Sequence, residues 1–356
     1  MMTTATIYKN NIELLSEKNV KKHVLPHYNL NNAIVKQVKL KNTEKQRAVY
    51  MIEDYENKYC LKKVYYPVEE LLFVYSAIEW LYRHNINVPR ILSTTNHGRY
   101  VIYENMLFIL TPWVEGYKCD FDSIYEILLA SSNLGKVHHI GKNFKPILGS
   151  KNKIGCSSLY NSINKHFNNL LIYSNLAYKY HDNYSKIYLK NFDTNINLAK
   201  ISNSIAATIK EENLTTSLCH NDYVSKNLIV DENDNLWLID FDKCKVDYCA
   251  LDISYCLRRL LRKEKNKWSL NLTIKFLNIY EKHNPLTFDD YKYILAYLSF
   301  PQKYWKISRD YYANISKCNR KAFVSMLKKS NIYLEYQLRF SLGFKDYIEE
   351  RFNEKF

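Results

Sequence analysis

The stretch LCHNDYVSKNLIVDENDNLWLIDFD, residues Leu218–Asp242, decides how this chain is read. Its second part is a hairpin signal: NLIV, the turn DENDN, then LWLID, with strands expected at 228–230 and 236–239. Ahead of the hairpin a loop carries His220, Asp222 and Asn227, and Asp240 closes the second strand. A loop carboxylate such as Asp222 can accept or orient the proton of a hydroxyl group. Asn227, from the same loop, can ligate Mg²⁺. Asp240, across the hairpin, completes a site of hard oxygen ligands. With a cation on the nucleotide phosphates, these are the parts that phosphoryl transfer requires. His220 would brace the loop backbone. The plainer alternative for Asp222 is a loop carboxylate closing an Asx turn.

Working outward, the first part of the chain reads as strands around one helix. AIVKQVKL, QRAVYMIED and YENKYCLKKV are β-like, and Pro67 suits the first turn of a helix running to about Arg83. YVIYEN and LFILTPWVEG add two strands. The expectation is a five-stranded antiparallel sheet with one helix inserted after its third strand. Gly116 marks a boundary. Beyond it helices dominate, roughly 122–140, 157–175, 185–212, 252–263, 269–283, 288–314 and 319–350. The fold class is therefore α+β. Residues 1–115 form a small sheet part. Residues 116–356 form a larger helical part with the catalytic loop, the metal site and a helical acceptor region.

Hydrophobic residues make up 47% of the 356, enough for a sizeable core. No apolar run is long enough for a membrane span, and the N-terminus lacks the apolar segment of a secretory signal, so a cytoplasmic protein is expected. Net charge is +15, yet the basic residues are scattered, which makes a nucleic-acid partner the weakest reading. The densest run, RRLLRKEKNK, follows an apolar stripe of Ile253, Cys256, Leu257, Leu260 and Leu261. That periodicity turns Arg258, Arg259 and Arg262 toward solvent. The eight cysteines form no CxxC pair, which argues against a thiolate metal site.

HNDYVSKN followed by IDFD resembles the catalytic and metal motifs of the aminoglycoside phosphotransferase-like kinases, distant relatives of protein kinases. DYCALDIS resembles that family's D-x4-D element, in which Asp252 would cap a helix and support the loop. YCLKKV, TPWVEG, LRRLLRK and YLSFPQKYWKISRDYY extend the likeness to the CotS-type spore coat proteins over nearly the whole chain. The resemblance implies a two-lobe protein kinase-like fold with a small sheet lobe and a large helical lobe. It also implies ATP and Mg²⁺, with Asp222 as the catalytic base and Asn227 and Asp240 as metal ligands.

Strand alternation cannot choose between Lys62 and Lys63; the family pattern assigns the nucleotide phosphates to Lys62. Of Glu69, Glu70 and Glu79, none occupies the family pattern's position, which falls on Val74; Glu70, one turn earlier on the same helix face, is the expected partner. Backbone near Leu110–Trp113 would meet adenine, and the His of LGKVHH would be structural. The acceptor would be a small molecule or a coat-protein side chain, and other coat proteins are implied partners. Synthesis is implied in the mother cell of an endospore former, with deposition on the spore coat. Two departures stand out. KNTEKQR, between the first two strands, has no glycine, so Lys41, Lys45 and Arg47 would have to supply charge there. Asn221 replaces the usual Gly after the His. The rival reading is a structural coat component that keeps the kinase fold with little turnover.

Overall fold

The computed structural model describes residues 13–41 and 46–356. These divide into two compact units, each discontinuous in sequence. The first takes the described residues up to Cys119, Asn143–Lys153 and Lys226–Cys244. The second takes Asp120–Lys142, Ile154–Ser225 and Lys245–Phe356. A cut at 115–116 follows the sequence; packing instead groups the hairpin that ends in Asp240 with the first unit.

In the first unit, α1 (Glu17–His23) precedes β1 (Ile34–Lys41), β2 (Arg47–Asp54) and β3 (Asn57–Lys63). Helix α2 (Val68–Arg83) follows, then β4 (Val101–Tyr103) and β5 (Met106–Pro112). The sheet order is β1-β2-β3-β5-β4, every pair antiparallel, with the expected helix after the third strand. Alternation puts Ala48, Tyr50 and Ile52 on one face, where they bury against Val20, Leu25, Leu61, Phe108 and Leu110. Sequence periodicity missed α1 because only Val20 of EKNVKKH is buried. Helix α2 buries Leu71, Phe73, Val74, Ala77, Ile78 and Leu81. Tyr82 is exposed and lies under the Arg90 guanidinium, 4.4 Å from its ring centre.

Residues 143–153 pack on α2 because Phe144 edges onto Phe73 and the Ile147 N–H donates to Ser76 Oγ at 3.1 Å. A second sheet joins β6 (Tyr117–Lys118), β8 (Leu228–Val230) and β9 (Leu236–Leu238). Gly116, at φ 138°, lets the chain pass so close to β8 that an added Cβ would sit 2.2 Å from the Val230 carbonyl oxygen.

The second unit holds α3 (Ile124–Gly141), α4 (Leu159–Tyr180), α5 (Asn183–Lys190) and α6 (Phe192–Ala206). Strands β7 (Thr216–Cys219) and β10 (Lys245–Tyr248) pair antiparallel. Helices α7 (Cys249–Leu261), α8 (Leu270–Glu281), α9 (Phe288–Ser299), α10 (Gln302–Ala313), α11 (Arg320–Ser330) and α12 (Leu334–Phe352) complete it.

Three expected long helices are each two. The 185–212 helix breaks at Asn191, the 288–314 helix at Phe300–Pro301, and the 319–350 helix at 331–333. Pro301 cannot donate to the preceding turn, so the chain restarts there. Asn191 turns its amide back onto the Ile187 carbonyl, competing with the helix. Helix α9 is buried on nearly every side. Tyr304 stacks on Tyr188 at 4.6 Å and donates to its carbonyl, and Trp305 covers His166, so these aromatics are core members.

Gly135 lets α3 meet α8, since a Cβ there would lie 2.6 Å from the Tyr280 carbonyl oxygen. Gly135→Ala should therefore destabilise by about 1–3 kcal/mol through overpacking, read as a lower melting temperature. An unchanged melting temperature would show that the two helices have room to part.

Candidate active site

In the first unit, β3 carries Lys62 to the far end of the hairpin. Its Nζ lies 2.6 Å from Asp240 Oδ1 and 2.7 Å from Asp242 Oδ1. Lys63, on the opposite face, donates instead to the Gln46 carbonyl at 2.9 Å. The hairpin is held by its own turn: the Asp231 carboxylate accepts from the N–H groups of Asn233 and Asn235 and from the Trp237 indole. Behind the acids, Ile239 N–H donates to the Asn227 carbonyl at 3.0 Å, fixing Asn227 beside the strand that delivers Asp240.

Asp240 sits at φ 67°, a left-handed conformation that Asp tolerates better than most residues. Tyr66 donates to Asp242 Oδ1 at 3.2 Å, and Lys153 donates to the Asp242 carbonyl. Asp242 Oδ2 is buried and has no hydrogen-bond partner among the described residues. An orphaned Asp242 oxygen, with the Asp240 carboxylate on the same lysine, is the kind of hard oxygen donor that fits a divalent cation. Burial pushes the Lys62 ammonium down, but Asp242 and Asp240 outweigh it and the net shift is upward. The stabilisation from this raised value is fully present below the unfolded lysine pKa of about 10.4 and is lost as pH rises through the folded value.

In the second unit, β7 leads into His220, Asn221 and Asp222. The fully buried Asp252 carboxylate accepts from the N–H groups of His220 at 2.7 Å and Asn221 at 2.8 Å. Asp252 therefore does not cap α7, which starts at Cys249; it sits within the first turn and spends both oxygens on the loop. His138, in LGKVHH, sets Nε2 3.4 Å from Asp252 and Nδ1 2.7 Å from the Tyr280 hydroxyl. Burial pushes His138 down; Cys249 and Asp252 overcome this and raise it to about 10. His220 Nδ1 accepts from the Asp222 N–H at 3.2 Å, closing the loop on itself. Asn221 takes φ 58°, so this residue adopts the left-handed backbone that glycine would supply. Asp222 is 6% exposed and accepts from the Tyr255 hydroxyl at 3.1 Å. Tyr255 in turn carries the Arg259 guanidinium over its ring and on its hydroxyl.

The profile of the phosphotransferase enzyme family (APH) matches residues 40–286. The chain belongs to that family. Among curated proteins it is similar to spore coat protein S of Bacillus subtilis, 21% identical over 85% of this chain and 86% of the relative. Among solved structures, an aminoglycoside phosphotransferase from Alicyclobacillus acidocaldarius superposes with a TM-score of 0.75 at 17% identity, covering 92% of this chain and 96% of that one. Spectinomycin phosphotransferase, solved with ADP and spectinomycin, gives 0.62 at 14% identity, with 92% and 98% covered. An amicoumacin kinase solved with AMP-PNP and Ca²⁺ gives 0.60 at 14%, with 94% and 96% covered. The fold is that of these kinase-like enzymes.

Within this phosphotransferase fold one expected pairing is not formed. Glu70 does not meet Lys62; it pairs with Lys151 at 2.8 Å, while Glu79 clamps Arg90 through both oxygens. The physical reason is the 143–153 segment, which docks at the start of α2 with Lys151 N–H on the Glu69 carbonyl and so brings Lys151 to Glu70. Lys62 finds its acids on the hairpin. Tyr255, Tyr66 and Lys153 were not picked out in sequence, where nothing separates Tyr255 from the other tyrosines of a chain holding 32. Lys45 lies outside the described residues, and β1 ends at Lys41.

Removing the cation tests the cluster. Lys62→Met should cost roughly 2–4 kcal/mol near neutral pH, the figure for a broken buried pair discounted because Asp240 is 31% exposed. The deficit should shrink in excess Mg²⁺, which can take the place of the missing ammonium between the acids. A deficit indifferent to Mg²⁺ would mean the two acids hold no ion.

Proposed function

We propose that this chain is an ATP- and Mg²⁺-dependent phosphotransferase acting on a hydroxyl acceptor. The observation that carries the reading is Lys62 held on Asp240 and Asp242 while Asp242 keeps a buried oxygen unpartnered. A lysine so placed is a point charge for nucleotide phosphates, and the unpartnered oxygen is a hard donor that a divalent cation could take. Asp240 and Asn227 would hold Mg²⁺, whose charge neutralises the phosphate oxygens.

The remaining work falls to the loop. Asp222 accepts the acceptor's hydroxyl proton as that oxygen attacks the γ-phosphorus of ATP. The bond to the β,γ-bridging oxygen breaks, and ADP leaves with the electron pair. Tyr255 orients the carboxylate, and Asp252 fixes the two backbone N–H groups just before it, which positions the base. Backbone at Leu110–Trp113 is proposed to meet adenine. Glu70 is then not the partner of the nucleotide lysine.

The likeness to spore coat protein S supports a place on the spore coat after synthesis in the mother cell, with other coat proteins as neighbours. One observation favours the rival reading of a coat scaffold with little turnover: the loop KNTEKQR offers no glycine for close approach to phosphates.

Asp222→Asn is nearly isosteric and removes only the proton acceptor. It should leave the melting temperature near wild type and lower phosphoryl transfer about 10²–10⁴-fold, measured as acceptor-dependent ADP release. Wild-type-like release by this variant would show that Asp222 is not the base. Tight MgATP binding by the wild type with no transfer to any hydroxyl compound tried would favour the scaffold.

A further inference from the structure

A cavity of about 160 Å³ opens inside the second unit, among α7, α10, α11 and α12. Four cations line it: Arg258, Arg262, Lys303 and Lys329, with no Asp or Glu among the lining residues. Arg258 and Arg262 are half-buried, contrary to the solvated face their helix position suggested. The reason is that α9 brings Tyr297 under Arg258, 4.2 Å from ring centre to guanidinium carbon. Neither arginine has an ion-pair partner among the described residues, whereas half-buried Arg90 is clamped by Glu79.

Burial, and then Arg258 and Arg259, push Arg262 down to about 10; burial lowers Arg258 against the pull of Tyr297, and burial with Arg262 lowers Lys303. Two half-buried arginines without acids cost stability unless an anion completes them. The wall opposite is rigid: Trp268 is buried at φ 57°, next to Lys267 at φ 36°, and its N–H is held by the Leu261 carbonyl at 2.8 Å. Consecutive left-handed backbones at non-glycine residues persist only where the surroundings hold them.

The cavity also has a direction. Tyr255, which donates to Asp222, shares a helix face with Arg258 and Arg262, three and seven residues on. Those steps correspond to about 4.5 and 10.5 Å of helix rise.

We propose that this cavity binds the anionic end, a phosphate or carboxylate, of the small hydroxyl compound phosphorylated at Asp222. The inference rests on the phosphotransferase reading and adds the class of acceptor to it. The hydroxyl lies at Asp222 and the anionic group, one to two helical turns away, lies on the Arg258 and Arg262 guanidinium groups. Gln302 and Lys303 complete the rim. The neutral analogue leaves the cations uncompensated and is rejected.

The test titrates the full chain with inorganic phosphate, glycerol 3-phosphate, gluconate and uncharged glycerol, by calorimetry and by melting temperature. The phosphate or carboxylate probes should bind saturably and glycerol should not; which of glycerol 3-phosphate and gluconate binds more tightly assigns the anionic group. Arg262→Met should weaken anion binding about tenfold or more, the loss of one charge-assisted hydrogen bond. It should also raise the melting temperature without probe, because a repelling charge is gone, whereas a merely structural arginine would lower it. Lys303→Met, at the exposed rim, repeats the binding comparison if Arg262→Met does not fold. The proposal is overturned if no anion binds saturably, or if binding persists in an Arg258→Met/Arg262→Met double variant. MgATP titration of the same wild-type sample separates the two readings. Anion binding without MgATP binding sinks the phosphotransferase, and MgATP binding without anion binding sinks only the anionic acceptor.

Discussion

The Asp252 carboxylate is the interaction on which the loop chemistry depends. It is fully buried, and its two oxygens take the N–H groups of His220 and Asn221. A loop cannot otherwise satisfy buried backbone donors, since it has no ladder to share them with. His138 and Tyr280 back the carboxylate from α3 and α8, so the loop's shape is set by helices remote in sequence. The outcome is a loop whose backbone is fixed just ahead of Asp222. The second cluster obeys the same rule with opposite signs: Lys62 is the shared centre, and Asp240 and Asp242 close around it.

Much of this was legible because the signals were local. Strand alternation, the DENDN turn and Pro67 each act within a few residues, and the sheet and hairpin followed from them. The spacing of His220, Asp222 and Asn227 marked the loop, whereas the contacts that hold its shape come from Asp252 and His138, distant in sequence. Ion-pair partners were less legible. Glu70 could be placed on a helix face, but which cation meets it depends on the docking of 143–153, which no periodicity announces. Helix α7 shows the same limit: its apolar stripe was readable, whereas the cover that α9 gives Arg258 is a tertiary fact. The helix breaks at Asn191 and 331–333 were hidden because polar residues suit both an exposed helix face and a turn.

Charge illustrates how a global quantity can mislead about a local one. A net +15 spread over the chain argues for little, and the basic run after the α7 stripe looked like ordinary solvation. The informative feature is cations brought together without acids. Half-buried Arg90, by contrast, meets the Glu79 carboxylate. Where no carboxylate is met, as around Arg258 and Arg262, the missing counter-charge defines a chemical preference that composition alone could never express.

The left-handed backbone at Asp240 narrows what this position can become. Glutamate would keep the negative charge, yet its longer side chain neither bonds locally nor tolerates that conformation as Asp does. Asparagine and glycine would keep the backbone and lose the charge. The geometry and the chemistry thus select independently, and aspartate alone meets both demands. A descendant released from the need for a charge there would be expected to drift to Asn or Gly rather than to Glu. The residue at this single site would therefore record whether a lineage still requires a carboxylate on that backbone.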